Sequence, residues 1–181
     1  MRMGMGSSSS PFTFPFPYLF LMLVNFSDLP DDARIWIFGA DKPLNGAVVD
    51  SMLAEVDSYL DQWKAHGFPL KAAREWRDNR FLIIGIDPTV EQASGCSIDG
   101  LFRALQQLQK TTGAQIVGGG RVFYRDASGA THSVPRDEFT TLTSAGKIGP
   151  RTPVFDTSLT RLDAWKTRFE QPLAESWAAT L

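Results

Sequence analysis

Cysteine occurs once in this chain of 181 residues, at Cys96, and histidine twice, at His66 and His132. A single cysteine excludes an internal disulfide, and with it a stapled secreted scaffold. Three such side chains, scattered along the chain, are too few for a four-ligand Cys/His zinc site within one molecule, and no metal and no cofactor is expected. Charge of one sign is not in excess. Eighteen Lys and Arg stand against twenty Asp and Glu, a formal net charge of −2. No run of five or six basic residues occurs, so the electrostatic footprint of a nucleic-acid binder is missing. No apolar run is long enough to span a bilayer, and no segment repeats at useful length. What is present is an ordinary globular composition, 43% hydrophobic and 21% charged, enough for one domain with its own core.

The first residues stand apart. "MRMGMGSSSS" is low-complexity, and "PFTFPFPYLFLMLVNF" is apolar and rich in proline and phenylalanine. A secretory signal would end in small residues, yet Asn25, Phe26, Ser27 and Asp28 follow the apolar run. Pro11, Pro15 and Pro17 break any helix there. Residues 1–21 are therefore expected to be a disordered leader, non-native or mis-called, with Met22 as the natural start and 22–181 as a single domain.

Periodicity then orders the domain. "ARIWIF" (33–38) reads as a strand. From Leu44 to Trp63 the apolar residues Val49, Met52, Leu53, Val56, Leu60 and Trp63 recur at steps of three and four, which predicts an amphipathic helix. "AHG" predicts its end, with Gly67 as the left-handed residue after the helix and His66 as a cation at its C-terminus. "LKAAREW" reads as a modest strand and Asp78-Asn79 as a tight turn. "RFLIIGID" (80–87) is the strongest strand, apolar on both faces and so central. A second helix is predicted over 96–110, with the stripe Ile98, Leu101, Phe102, Leu105 and Leu108, stopped by Gly113. "RVFYRDASGATHSV" predicts a hairpin turning at 126–129. A short helix follows, capped by Ser133 or Asp137 and ended by Gly146. "TPVFD" is one more strand, and the tail from Ser158 is partly helical. The order β-α-β-β-α-β over 33–125 predicts an α+β fold. Specifically, it predicts a ferredoxin-like antiparallel sheet with two helices on one face, an added hairpin strand and a helical C-terminal tail.

The stretches "NFSDLPDDARIWIF", "WKAHG", "NRFLIIGID", "SGCSIDGL", "TPVFD" and "PLAESW" resemble a family of small bacterial proteins that often carry the label "ABC transporter ATPase". The resemblance covers Met22 to Leu181. It implies an association with transport or ATP, but the residues do not supply the means. An ATP-binding cassette needs G-x-x-x-x-G-K-[ST] to cradle phosphates, and no such string occurs. The nearest, "GGGRVF" (118–123), has no lysine and leads into a strand.

Cys96 is the candidate for chemistry. At a helix start, free amides and the positive end of the dipole stabilise a thiolate. Ser94, Gly95 and Ser97 add small side chains and exposed amides suited to an anion. Arg77 and Arg80, on the neighbouring hairpin, would add charged donors. Asp99 is expected near the third helical position, where capping would absorb part of that potential. The competing reading makes Cys96 a small buried hydrophobe. Asp87, before Pro88, is either a carboxylate at a strand end or a turn cap. Trp36, Trp63, Trp76, Trp165 and Trp177 read mainly as core, with one or two free to line a binding surface. The leading expectation is a cytoplasmic module that binds a small anionic ligand or a protein partner, with a homodimer open to it through a sheet edge. No nucleic-acid or membrane partner is expected. The contrasting expectation is a thiol-dependent enzyme or redox sensor using Cys96.

Overall fold

The computed structural model describes residues 23–113, 115, 116 and 119–181. The leader, Met22 and Gly118 of the triple glycine lie outside them. The chain runs through β1 (Arg34–Gly39), α1 (Ala47–Asp61), β2 (Lys64–Ala65), β3 (Phe68–Pro69), β4 (Ala72–Arg77), β5 (Phe81–Ile86), α2 (Gly95–Thr112), β6 (Arg121–Arg125) and β7 (Thr131–Pro135). It continues through α3 (Arg136–Ser144), β8 (Pro153–Phe155), α4 (Leu162–Arg168) and β9 (Glu170–Pro172). The mixed α+β class is as expected. Among the described residues, no helix is long and apolar enough to cross a membrane.

β5 is buried at every position and lies between β1 and β4, antiparallel to both. β1 and β4 therefore run parallel with β5 inserted. One face of this sheet carries Phe38, Leu82, Ile84 and Ile86, packed under Val49, Met52, Val56 and Leu60 of α1 and Leu101, Leu105 and Leu108 of α2. These are the stripes that the spacing predicts.

The expected four-stranded ferredoxin-like sheet does not form. β6 does not pair with β1; it joins a second antiparallel sheet in the order β7-β6-β8-β9. The physical reason is the other face of the first sheet. Ile35, Ala73, Phe81 and Ile83 point there, and helices on one side would leave them in water. The second sheet and α4 cover them with Phe123, Phe155, Phe169 and Leu162. Burial of each large side chain contributes roughly 1.5–3 kcal/mol before entropy. Phe81 is the hub, with ring centroids 5.1 Å from Phe123, 4.9 Å from Phe155 and 5.0 Å from Phe169. Val122, Val134 and Val154, on the outer face of the second sheet, pack with Phe139 of α3 and with Leu173 and Ala178 of the tail.

Local expectations fare unevenly. Asp78 and Asn79 form the tight turn, with φ of 54° and 53°. Gly113 ends α2 in the left-handed region at φ 69°. Gly67 does not end α1, which stops at Asp61. His66 and Gly67 (φ 52° and 85°) instead turn the small β2–β3 hairpin. Neither Ser133 nor Asp137 caps α3; Pro135 occupies that position with no side-chain cap bond. Part of the tail expected as helix is β9, which pairs with β8.

At Gly39 the two sheets meet without room for a side chain. A Cβ there would lie 2.3 Å from Cζ of Phe123, whose ring is pinned by Phe81. Gly39→Ala is expected to destabilise the protein by about 1–3 kcal/mol through overpacking, read as a lower urea midpoint with an unchanged slope.

Candidate functional site

Helices α1 and α2 pack side by side on the first sheet and leave a cleft of about 820 Å³ between them. Its floor is apolar: Val56, Trp63, Leu101, Leu105 and Leu108. Small residues on α2 keep it open. Gly100 lets the Tyr59 hydroxyl come within 2.8 Å of where a Cβ would stand. Burial pushes the Tyr59 phenol up, with Arg103 opposing.

One end of the cleft is the start of α2. Ser94 is the cap: its Oγ accepts from Ser97 N at 3.2 Å, and Ser97 Oγ donates back to Ser94 O at 2.9 Å. The buried Trp63 indole donates to Ser97 O at 2.9 Å and fixes this turn against α1. Gly95 and Cys96 are the first two helical residues, where backbone N–H groups have no partner within the helix. Both are exposed, and Cys96 lines the cleft with Ser94 and Ser97. Lys64 and His66, brought over by the β2–β3 hairpin, line the same region. Sequence reasoning missed Lys64 and offered His66 only as one of two histidines, with His132, able to approach Cys96 in space. The only signal was His66-Gly67, which also reads as a helix stop.

The sequence brackets Asp99 with the cap, yet the helix begins at Gly95, which places Ser97 third and Asp99 fifth. No acidic residue lies in the first turn. The arginines are elsewhere. Arg77 and Arg80 lie at the start of β5 and α2 begins beyond its end, a separation of roughly 17–20 Å along six residues. Arg77 lies over the rings of Trp165 (5.6 Å) and Phe169 (5.9 Å). Arg80 is buried and donates to three backbone carbonyls. The structure thus joins Ser94, Gly95, Cys96 and Ser97 and separates them from Arg77 and Arg80.

Asp87 stands at the end of β5, buried and fully engaged. It accepts from Lys71 Nζ at 3.0 Å, from Thr89 N at 3.0 Å and from Thr89 Oγ1 at 2.6 Å. Burial raises its carboxyl, but the Thr89 and Lys71 bonds outweigh it and hold the group below the usual range. It locks a turn. His132 accompanies the β6–β7 hairpin, 2.7 Å from Asp126 and stacked on Tyr124. Trp63 lines the cleft, whereas Trp36 packs edge-on against it and Trp177 donates to Phe155 O. Trp76 and Trp165 each have a buried indole nitrogen without a hydrogen-bond partner among the described residues. Among the described residues, no three His, Cys, Asp or Glu side chains gather as a metal site.

Comparison with protein-family models, curated proteins and solved structures gives no match.

The lowered carboxyl of Asp87 has a defined pH signature. Its stabilisation is complete above the unfolded value of about 3.8 and is lost as pH falls through the lower folded value. Asp87→Ala is expected to cost about 1.5–3 kcal/mol at neutral pH, and the gap to the native protein is expected to narrow in acid. Chemical denaturation at both pH values measures it.

Proposed function

We propose that the protein is a binding module whose ligand is a small amphiphilic molecule with an anionic end, held in the α1–α2 cleft. The observation that carries this reading is the coincidence of a ligand-sized apolar trough with a helix start. Small-molecule sites commonly occupy about 300–1,000 Å³ and combine apolar walls with a few directed polar groups. Here the apolar part would lie over Leu101, Leu105 and Trp63, while the anionic end would meet the Gly95 and Cys96 amides with Lys64 and His66 beside them. The dipole of an 18-residue helix favours negative charge at that end.

The test uses 8-anilinonaphthalene-1-sulfonate, an apolar fluorophore with a sulfonate. Gly100→Leu fills the cleft and leaves the core facing the sheet untouched. The variant is expected to bind the dye at least about tenfold more weakly while keeping its circular dichroism, a loss of roughly 1.4 kcal/mol or more. Equal binding by the two proteins rejects the cleft as the site.

Thiol chemistry is the second reading, favoured by one observation: the exposed Cys96 and His66 line the same cleft. A histidine acting on the sulfur would make Cys96 react with iodoacetamide faster than a free thiol, and His66→Ala would remove the excess. A native rate no faster than free cysteine rejects this reading and leaves the binding module standing.

A further inference from the structure

Arg80 is unusual among the arginines of this chain. It is only 6% exposed, yet no ion pair involves it among the described residues. Arg74, Arg77, Arg125 and Arg161 all have carboxylate partners. Arg80 Nε donates to Thr131 O at 2.9 Å, and Nη1 donates to Ala40 O at 3.1 Å and Asp41 O at 3.0 Å. These carbonyls satisfy hydrogens but carry only partial charge. A buried cation is stabilised fully only by a whole opposite charge.

A second guanidinium without an ion pair among the described residues stands beside it. Arg121 Nε donates to Ser133 Oγ at 2.6 Å and Nη2 to Ser133 O at 2.7 Å. Burial and the Arg121 charge both act against the Arg80 cation, and only Asp41 supports it. The Asp41 carboxylate itself accepts from Gln115 N, so the group of three carries one net positive charge.

The spacing between the two arginines is set by β7. Thr131 and Ser133 are two residues apart, so their side chains share one face about 7 Å apart. Each arginine is anchored at one of these two positions. A guanidinium has five N–H donors, and neither arginine uses all of them. Among the described residues Arg80 Nη2, Arg121 Nη1 and the Thr131 hydroxyl have no hydrogen-bond partner, and the Ser133 hydroxyl, which accepts from Arg121, still has its proton to donate.

We propose that Arg80, Arg121, Thr131 and Ser133 form a binding site for a tetrahedral oxyanion of the phosphate class at the seam between the two sheets. Two guanidinium planes and two hydroxyls offer donors to more oxygens than a carboxylate has, which favours phosphate over a simple acid. The site lies at the opposite end of β5 from the start of α2, shares no residue with the α1–α2 cleft and does not depend on it.

Inorganic phosphate is the probe, titrated calorimetrically at about pH 7.5, where the dianion dominates, with sodium chloride holding ionic strength constant. Saturable binding is expected, with a rise in Tm that chloride does not reproduce. Arg121→Gln, a half-buried position, is expected to weaken phosphate at least about tenfold, and acetate is expected to bind the native protein at least about tenfold more weakly than phosphate. Thr131→Val, which removes one hydroxyl at a half-exposed position, is expected to cost about threefold to tenfold and serves as the test should Arg121→Gln not fold. Phosphate acting no differently from chloride, or a folded variant binding phosphate as the native protein does, overturns the proposal.

Discussion

Everything in this fold is arranged around a strand that is apolar on both sides. Phe81, Ile83 and Leu82, Ile84, Ile86 alternate along β5, and both sets are buried. Two helices can cover only one face of the sheet that β5 centres. The other needs a second layer, and Phe81 gathers it by holding three rings of the second sheet and its flank. The close approach at Gly39 and the strap from Arg80 to the carbonyl of Thr131 follow from that docking.

Both candidate sites derive from this layering, at opposite ends of β5. Beyond its last residue the chain turns at Asp87, locked by Lys71 and Thr89, and starts α2 at the Ser94 cap, where Gly95 and Cys96 are the first two helical residues. Before its first residue the chain turns at Asp78-Asn79 and places Arg80 in the seam between the sheets. The first site is apolar with a polarised end. The second is a pair of cations balanced by one carboxylate, Asp41.

Much of the first layer was legible in the sequence. The steps of three and four around Met52 and Leu105 gave the helices, Gly113 the stop, and the unbroken apolar run Phe81–Ile86 the central strand. That run also held the clue against a four-stranded sheet with one bare face, since Phe81 and Ile83 had to be covered. The second sheet was hard to read because β8 and β9 have three residues each, too few to show an alternation, and both contain proline. At the cleft, Ser94 to Ser97 form a local cap and were readable as such. His66 was not, because two left-handed residues in succession serve a hairpin as readily as a helix end. Arg80 read as a charged donor on a hairpin beside Cys96; its burial depends on β7, fifty residues away, which no local pattern announces.

The two-sheet arrangement makes a sharp statement about β1. Ala40 N–H donates to Arg80 O, inward, whereas Ile35 N–H and Asp41 N–H donate outward, to Thr160 O and Gln115 O. By the alternation of an antiparallel strand, Trp36 and Phe38 bond to β5, while the amides of Ile37 and Gly39 face the outer edge without a partner among the described residues. Residue-resolved amide hydrogen exchange tests this directly. The account predicts slow exchange at Trp36 and Phe38 and much faster exchange at Ile37 and Gly39. Equal, strong protection at all four would mean that a further strand pairs with β1, and the separation into two sheets would be wrong.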